Sequence, residues 1–201
     1  MFLALVVLLP ATALADAAED TKRGVDAYNH GDVVAALRWL RQAAEQGHAP
    51  AAVRLAYILD KAEQNEEAVS WYRAAAEQGN AEGAYGLGQM YAIGEGVEHD
   101  PAQAVRWVRQ AADGGVPPAM RTMAEWYRQG QLGLPADLER ARAWLHRAAQ
   151  AGDPWAMHRL AKAYEKGELG LSADPEKARH WREQLSAGSG PPIAEAQRLF
   201  H

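Results

Sequence analysis

The sequence contains no cysteine, and this absence removes several classes of site from consideration. Without a thiol the chain can form no disulfide framework, no thiolate nucleophile, no cysteine-ligated metal centre and no lipid-modified cysteine. Phenylalanine is also scarce, since it occurs only twice, so the bulk of a core must come from Leu, Val, Met, seven Trp and seven Tyr set against small residues. Such a mixture favours closely packed helices.

Runs of like charge are absent as well. The formal net charge of -5 arises from interspersed acidic and basic residues. A protein that neutralises phosphates needs a clustered basic face, and the sequence has no such cluster. We therefore expect no nucleic-acid partner.

The first fifteen residues differ from the rest of the chain. Residues 2–9 form an unbroken apolar run, Pro10 interrupts it, and small residues at 13–15 precede Asp16. This pattern predicts a signal peptide cleaved after Ala15, although no Lys or Arg precedes the apolar run. The run is shorter than the about 20 residues that span a bilayer. We expect residues 16–201 to be periplasmic or secreted, with no stable membrane span after cleavage.

A repeat marked by tryptophan dominates the remaining sequence. Five Trp recur at spacings of 32, 36, 37 and 37 residues, each with an alanine three positions earlier: Trp39, Trp71, Trp107, Trp144 and Trp181. Eight residues after each of the first four lies a glycine, which is typical of a helix end: Gly47, Gly79, Gly115 and Gly152. Each repeat therefore predicts a helix that ends at a glycine turn, and we expect each Trp ring to be buried against the next helix pair.

A second helix per repeat follows from the residues after each turn. Sixteen residues after a Trp lies a large apolar residue and then a small one, at Leu55, Leu87, Met123 and Leu160. Four positions further on lie Leu59, Tyr91, Tyr127 and Tyr164, a spacing that places both residues on one helix face. In the longer loops that follow, an aspartate occupies the expected N-cap of the Trp helix, at Asp100, Asp137 and Asp174.

These motifs resemble the Sel1-like repeats, a subclass related to tetratricopeptide repeats. The unit from Ala84 through Tyr91, Gly94, Asp100 and Trp107 matches the family pattern at nearly every position. The resemblance covers roughly residues 20 to 190 and implies one domain over 16–201, a right-handed all-α solenoid of about five helix-turn-helix repeats. Residues 16–30 should form the opening helix and residues 191–201 a C-terminal capping helix, because a finite stack needs polar ends.

Motifs for chemistry are missing. No pair among the seven histidines has the spacing of a zinc-binding HExxH. Gly94 and Gly96 lack the preceding strand and third glycine of a dinucleotide fingerprint, and no Gly-x-Ser-x-Gly elbow occurs. Some cysteine-rich secreted members of the family are linked to β-lactam binding or hydrolysis, but a chain without cysteine fits that analogy poorly. We expect no enzyme activity, no metal and no cofactor.

The resemblance implies that the first helix of each repeat lines a concave surface that binds a partner. Offsets of -2, +2 and +5 from the Leu position lie on one stripe of that helix. The stripe contains Val53, Tyr57, Asp60, Tyr85, Gln89, Ala92, Arg121, Glu125, Arg128, His158, Lys162 and Glu165. Trp155 adds an aromatic residue at a helix start. Nine of these residues are candidate partner contacts: Tyr57, Tyr85, Gln89, Arg121, Glu125, Arg128, Trp155, His158 and Lys162.

The kind of partner stays open at this point. A protein or peptide segment is favoured, because grooves in helical stacks commonly capture peptides or helices. The alternative is a cell-wall glycan, for which exposed Tyr and Trp rings also serve as platforms. Ordinary solvated helix surface explains any single residue of the stripe equally well.

Overall fold

A computed structural model describes residues 11–188 of the chain, with side chains from residue 16 onward. This part consists of ten α-helices and their connecting turns. The helices are α1 (Ala11–Asn29), α2 (Val33–Glu45), α3 (Ala49–Lys61), α4 (Asn65–Glu77), α5 (Ala81–Ile93), α6 (Pro101–Asp113), α7 (Pro117–Gln129), α8 (Leu138–Gln150), α9 (Pro154–Lys166) and α10 (Pro175–Ala187). The prediction of an all-α chain of helix-turn-helix repeats is confirmed.

Two predictions fall on residues beyond this part. The first ten residues of the predicted signal peptide and the whole predicted capping helix, 191–201, lie outside the described residues. The opening helix predicted for 16–30 is present as α1, which begins at Ala11. Among the described helices, none combines the length and apolar character that crossing a membrane requires.

The helices form two compact units that divide between His99 and Asp100. We call them unit 1, which contains α1 to α5, and unit 2, which contains α6 to α10. Within each unit, helices adjacent in sequence pack against each other, and in unit 1 α3 also contacts α1 and α5. The single domain over 16–201 stays a prediction.

Local sequence signals set where the Trp-bearing helices begin. The carboxylates of Asp100, Asp137 and Asp174 accept hydrogen bonds from backbone N–H groups in the first turns of α6, α8 and α10, at 2.9 to 3.0 Å. Pro101 and Pro175 occupy the first helical position, where a missing N–H costs no bond. The predicted N-caps are therefore confirmed.

Glycines end several helices and shape the loops. Gly94, Gly130 and Gly167 adopt the left-handed conformation directly after α5, α7 and α9. Gly96 is required for a second reason, because a Cβ there would lie 2.3 Å from the carbonyl group of Asn65 at the start of α4. The loop after α5 thus lies directly on the neighbouring repeat within unit 1.

The cores contain the predicted Leu-position residues, all completely buried: Leu55, Leu87, Met123 and Leu160. Leu59, Tyr127 and Tyr164 are buried too, whereas Tyr91 is half-buried. Alanines such as Ala36, Ala68, Ala104 and Ala141 face them from the Trp-bearing helices.

The predicted burial of every repeat Trp is wrong. Only Trp107 is buried, at 9% exposure, while Trp39, Trp71, Trp144 and Trp181 are half-buried. In α2, α4 and α8 the residue after the Trp fills the core instead, at Leu40, Tyr72 and Leu145, and in α6 Val108 is buried together with Trp107. Several Trp rings lie under guanidinium groups, such as that of Arg147, 4.2 Å from the centre of the Trp144 ring. The Trp side chains thus lie at the edge of the core, where a large ring packs on one side and meets a cation on the other.

Candidate functional site

In unit 2, the first helices of neighbouring repeats, α7 and α9, meet at a cluster of three side chains. Arg121 extends from α7, and its guanidinium lies 5.6 Å from the ring centre of Trp155 in the first turn of α9. The Arg121 Nε also lies 3.4 Å from a carboxylate oxygen of Asp153. The indole of Trp155 is 41% exposed, so the cluster combines a cation with an accessible aromatic surface.

Asp153 explains why this cluster forms. It is the N-cap of α9, and its carboxylate accepts a 2.7 Å hydrogen bond from the backbone N–H of Ala156. The residue is only 8% exposed, so its negative charge requires partners. Arg121 provides one, and it is half-buried as a result. The predicted contact Arg121 therefore holds α7 against α9 in addition to any role in binding.

One turn further along α7, Glu125 accepts two hydrogen bonds from the Arg128 guanidinium, at 2.6 and 2.8 Å. The Gln129 amide donates a further bond to the same carboxylate. The hydrogen bonds from Arg128 lower the pKa of Glu125, and Arg159 of α9 contributes a smaller electrostatic effect in the same direction. Glu125 is half-buried and Arg128 is exposed. This part of the surface is therefore ionised and internally paired at neutral pH.

The exposed side of α9 contains the remaining predicted contacts of unit 2. His158 and Lys162 are both exposed, as predicted, and Lys166 completes the last turn of the helix. Glu165, also on the predicted stripe, pairs with Arg182 of α10 at 2.7 Å. The α7–α9 face is defined here as Arg121, Glu125, Arg128, Trp155, His158, Lys162 and Lys166.

Unit 1 presents a less polar stripe. Tyr57 of α3 is 43% exposed, and the Lys61 ammonium lies 5.8 Å from its ring centre. Tyr85 and Gln89 of α5 are half-buried, and so are the other stripe residues Val53, Asp60 and Ala92. Of the predicted contacts in unit 1, Tyr57 thus has the most accessible ring.

The sequence interpretation missed a series of bonds that join successive repeats. In three repeats the side chain two positions after the Trp contacts the hydroxyl of a Tyr, and that Tyr lies eighteen positions after the contacting residue. Arg73 donates to the Tyr91 hydroxyl at 3.1 Å in unit 1, and Arg109 donates to the Tyr127 hydroxyl at 3.3 Å in unit 2. At the third equivalent position, the His146 ring nitrogen lies 3.3 Å from the Tyr164 hydroxyl. The constant spacing of eighteen was the signal that could have revealed these bonds.

His146 differs from its arginine equivalents because an imidazole, unlike a guanidinium, can lose its proton in a folded protein. Burial lowers its pKa, and the neighbouring cations Arg142 and Lys177 lower it further. The centre of its ring also lies 5.7 Å from the centre of the Trp181 ring of α10. In unit 1, burial likewise lowers the pKa of His48, whose Nδ1 lies 2.8 Å from the Thr21 hydroxyl.

Residues that could hold a metal ion are not grouped in the described part of the chain. No three His, Asp or Glu side chains there lie together in an arrangement suited to a cation. Three recurring aspartates, Asp100, Asp137 and Asp174, act as the predicted helix caps, and their carboxylates accept hydrogen bonds from the backbone of their own helices.

Comparison with known proteins identifies the repeat. The Sel1 repeat pattern matches five consecutive segments of the chain, residues 23–48, 49–80, 81–116, 117–153 and 156–186. The chain belongs to the Sel1 repeat family. Sel1 repeat proteins are generally interaction scaffolds and generally non-catalytic. The predicted family resemblance and α-solenoid class are confirmed.

Solved structures of bacterial Sel1 repeat proteins share this architecture. A Sel1 repeat protein from Oxalobacter formigenes is 34% identical, with a TM-score of 0.77 over 88% of this chain and 73% of that protein. The protein c5321, a protective antigen of uropathogenic Escherichia coli strains, is 30% identical, with a TM-score of 0.71 over 90% of this chain and 41% of its own.

A Sel1 repeat protein from Klebsiella pneumoniae subsp. pneumoniae, 21% identical, shares the fold with a TM-score of 0.59 over 89% of this chain and 90% of that one. No protein with a curated description is significantly similar in sequence to the chain.

Proposed function

We propose that this Sel1 repeat protein is a non-catalytic scaffold of the bacterial envelope that holds another protein or a peptide segment on the first helices of its repeats. The apolar run and small residues of 1–15 support export. The Sel1 repeat itself supports a scaffold role. Periplasmic or secreted location and the identity of the partner both belong to this proposal.

The observation that carries the proposal is the accessible Trp155 ring beside the Arg121 guanidinium. Tryptophan and arginine are the residue types most enriched in binding hot spots. A half-exposed indole is also costly to leave in water, since its apolar surface gains free energy when a partner covers it. Arg121 is held by the N-cap carboxylate of α9, so the cluster is ordered before binding.

A second candidate function is binding of a cell-wall glycan. It is favoured by the exposed rings of Tyr57 in unit 1 and Trp155 in unit 2, because the apolar faces of sugar rings stack on aromatic side chains. Each ring has a cation nearby, which is compatible with either kind of ligand.

Affinity capture from a bacterial envelope extract separates the two candidates. The chain without residues 1–15 is immobilised and exposed to untreated extract, protease-treated extract and extract treated with a cell-wall hydrolase. A protein partner is captured from untreated extract and lost after protease treatment, whereas a glycan survives protease and is lost after hydrolase treatment.

The matched variants are Trp155→Ala and Tyr28→Ala. Tyr28 lies on α1 and is exposed to a similar extent, 38%, but it is outside the predicted stripe. We expect Trp155→Ala to lose the specific partner and Tyr28→Ala to retain it. Equal capture by both variants would exclude Trp155 as the centre of the site.

A further inference from the structure

The exposed side of α9 contains an aromatic residue followed by basic residues. Trp155, Lys162 and Lys166 fall within about 40° of one another around an ideal helix of 3.6 residues per turn, and His158 lies at the margin of this sector. The buried residues Leu160 and Tyr164 face the opposite way, toward the core. The helix thus presents one ring and up to three basic groups on a single outward stripe.

The carboxylates near this stripe already have cationic partners. Glu165 pairs with Arg182 at 2.7 Å, and Glu168 pairs with Arg159 at 2.6 Å. The hydrogen bond from Arg159 is the largest cause of the lowered pKa of Glu168, while Lys162 and Lys166 act on it only through longer-range electrostatics. Within residues 16–188, neither lysine is within 4 Å of a carboxylate oxygen. The stripe therefore has positive charge available for a ligand.

The distribution of charge along the chain reinforces this local excess. Residues 1–99 contain 7 Lys and Arg against 14 Asp and Glu, a net charge of -7. Residues 100–201 contain 14 Lys and Arg against 12 Asp and Glu, a net charge of +2. An anionic ligand is thus repelled by the charge of unit 1 and attracted to unit 2.

We infer that the exposed stripe of α9 binds an acidic peptide segment, in which an apolar or aromatic residue packs on Trp155 and carboxylates pair with Lys162 and Lys166. This inference rests on the proposed scaffold function and specifies the chemistry of the partner. The stripe from Trp155 to Lys166 is about 16 Å long at 1.5 Å per residue. An extended peptide of about five residues covers that length.

A purely structural role for the two lysines makes a different prediction. Cations near the C-terminal end of a helix stabilise it through the macrodipole, and Lys166 occupies the last turn. In that case charge reversal lowers helix stability slightly and leaves peptide affinity unchanged. Binding measurements on folded variants distinguish the two roles.

The test uses fluorescein-labelled probe peptides and the chain without residues 1–15. One probe contains a leucine followed by a run of glutamates, and its matched probes replace glutamate with glutamine or with lysine. We expect the glutamate probe to bind most tightly, with a change in fluorescence anisotropy that diminishes as salt is raised above about 0.15 M. Equal binding of the glutamine probe, or tighter binding of the lysine probe, overturns the inference.

Charge-reversal variants locate the binding on the chain. The double variant Lys162→Glu/Lys166→Glu is expected to weaken glutamate-probe binding at least about tenfold, because attraction becomes repulsion. Trp155→Ala is expected to weaken it at least about fivefold. The control Lys22→Glu/Arg54→Glu makes the same change in net charge at exposed positions of unit 1 and should weaken binding far less. Equal losses in the two double variants would show a non-specific effect of net charge and contradict the inference.

Two further outcomes separate this inference from the scaffold function. If the chain captures a protein through Trp155 but the two lysine reversals leave that capture intact, the scaffold function stands and the acidic chemistry is wrong. If light scattering shows a salt-sensitive dimer that the reversals abolish, the ligand is the acidic unit of a second copy and not a separate partner. Circular dichroism melts of all variants confirm that each remains folded.

Discussion

The two units of this Sel1 repeat protein each have a core built from the same repeat positions, but they differ in how their repeats are connected. In unit 1, α4 follows a short turn, and its N-cap residue, Gln64, makes no side-chain capping bond. In unit 2, α8 and α10 follow longer loops and begin at capping aspartates. The core is thus fixed by the spacing of apolar residues, whereas the loops and the charges around them vary between repeats.

The units also differ in the bonds that join their repeats. In unit 1 the Arg41 guanidinium donates to Glu67 at 2.7 Å, and the Trp71 indole donates to the same carboxylate at 3.2 Å. Between α8 and α9 of unit 2, His146 contacts Tyr164, whereas the equivalent contact in unit 1 is from Arg73 to Tyr91. This difference places a histidine, whose pKa burial lowers, at a joint of unit 2.

The largest expected effect tests whether the cores of the two units depend equally on the same repeat position. Leu87 in unit 1 and Leu160 in unit 2 are both completely buried at the equivalent position. We expect Leu87→Ala and Leu160→Ala each to cost about 2 to 5 kcal/mol of unfolding free energy, because each leaves a cavity between packed helices. Urea denaturation measures both. A cost below about 1 kcal/mol for only one of them would show that the cores are not equivalent.

A smaller effect concerns two helix N-caps that differ, that of α8 in unit 2 and that of α4 in unit 1. Asp137→Ala removes the side-chain acceptor of a first-turn N–H in α8, and we expect it to cost about 1 kcal/mol. Gln64→Asp supplies an acceptor that α4 lacks and is expected to stabilise the chain by up to about 1 kcal/mol. Thermal melts of both variants test this pair, and a destabilising Gln64→Asp would show that the α4 turn cannot hold a cap.

The smallest effect is a dependence of stability on pH. The folded state lowers the pKa of His146 below its ordinary value of 6.5. Folding therefore favours the neutral ring, and protonation of His146 costs stability. The contribution of the neutral ring to stability is complete above pH 6.5 and is lost as the pH falls from 6.5 toward the lowered pKa. The groups around the ring are Arg142 on its own helix, the Tyr164 hydroxyl of α9, and Trp181 and Lys177 of α10. Lys177 is itself paired with Asp174.

Urea denaturation at pH 7.5 and at pH 5 measures this dependence. His146→Gln removes the titrating group and should make stability less dependent on pH, and His48→Gln should do the same for unit 1. The control His158→Gln, at an exposed position of α9, should leave the dependence unchanged. An unchanged pH dependence in His146→Gln would contradict the role assigned to this joint.

The sequence predicted the features that depend on local chemistry. Helix starts at Asp100 and Asp174 were recognisable because an aspartate followed by proline has one favoured conformation at a helix N-terminus. Glycine turns were recognisable because glycine, without a Cβ, adopts the positive φ that follows a helix end. Two residues in positive φ, Leu132 and Leu169, were missed, although both lie in a repeated Leu-Gly-Leu segment.

Features that depend on distant neighbours were harder to predict. Periodicity alone could not distinguish Trp144 from the adjacent Leu145, since both recur at the repeat spacing and only the packing shows which one faces the core. Arg121 was placed on the stripe, but its ion pair with Asp153 joins residues 32 positions apart and has no local signal. The stripe on α9 was predicted in part, through Trp155, His158 and Lys162, while the contribution of Lys166 emerged only from the structure.

In the proposed complex, the outward stripe of α9 contacts the partner and the rest of the chain supports that helix. The sequence offers a direct test because it contains five lysines, Lys22, Lys61, Lys162, Lys166 and Lys177. Acetylation of the lysines, read by mass spectrometry with and without the captured partner, reports on each position. We expect the partner to protect Lys162 and Lys166 and to leave Lys22 as reactive as before. Protection of Lys22, with Lys162 and Lys166 unchanged, would contradict it.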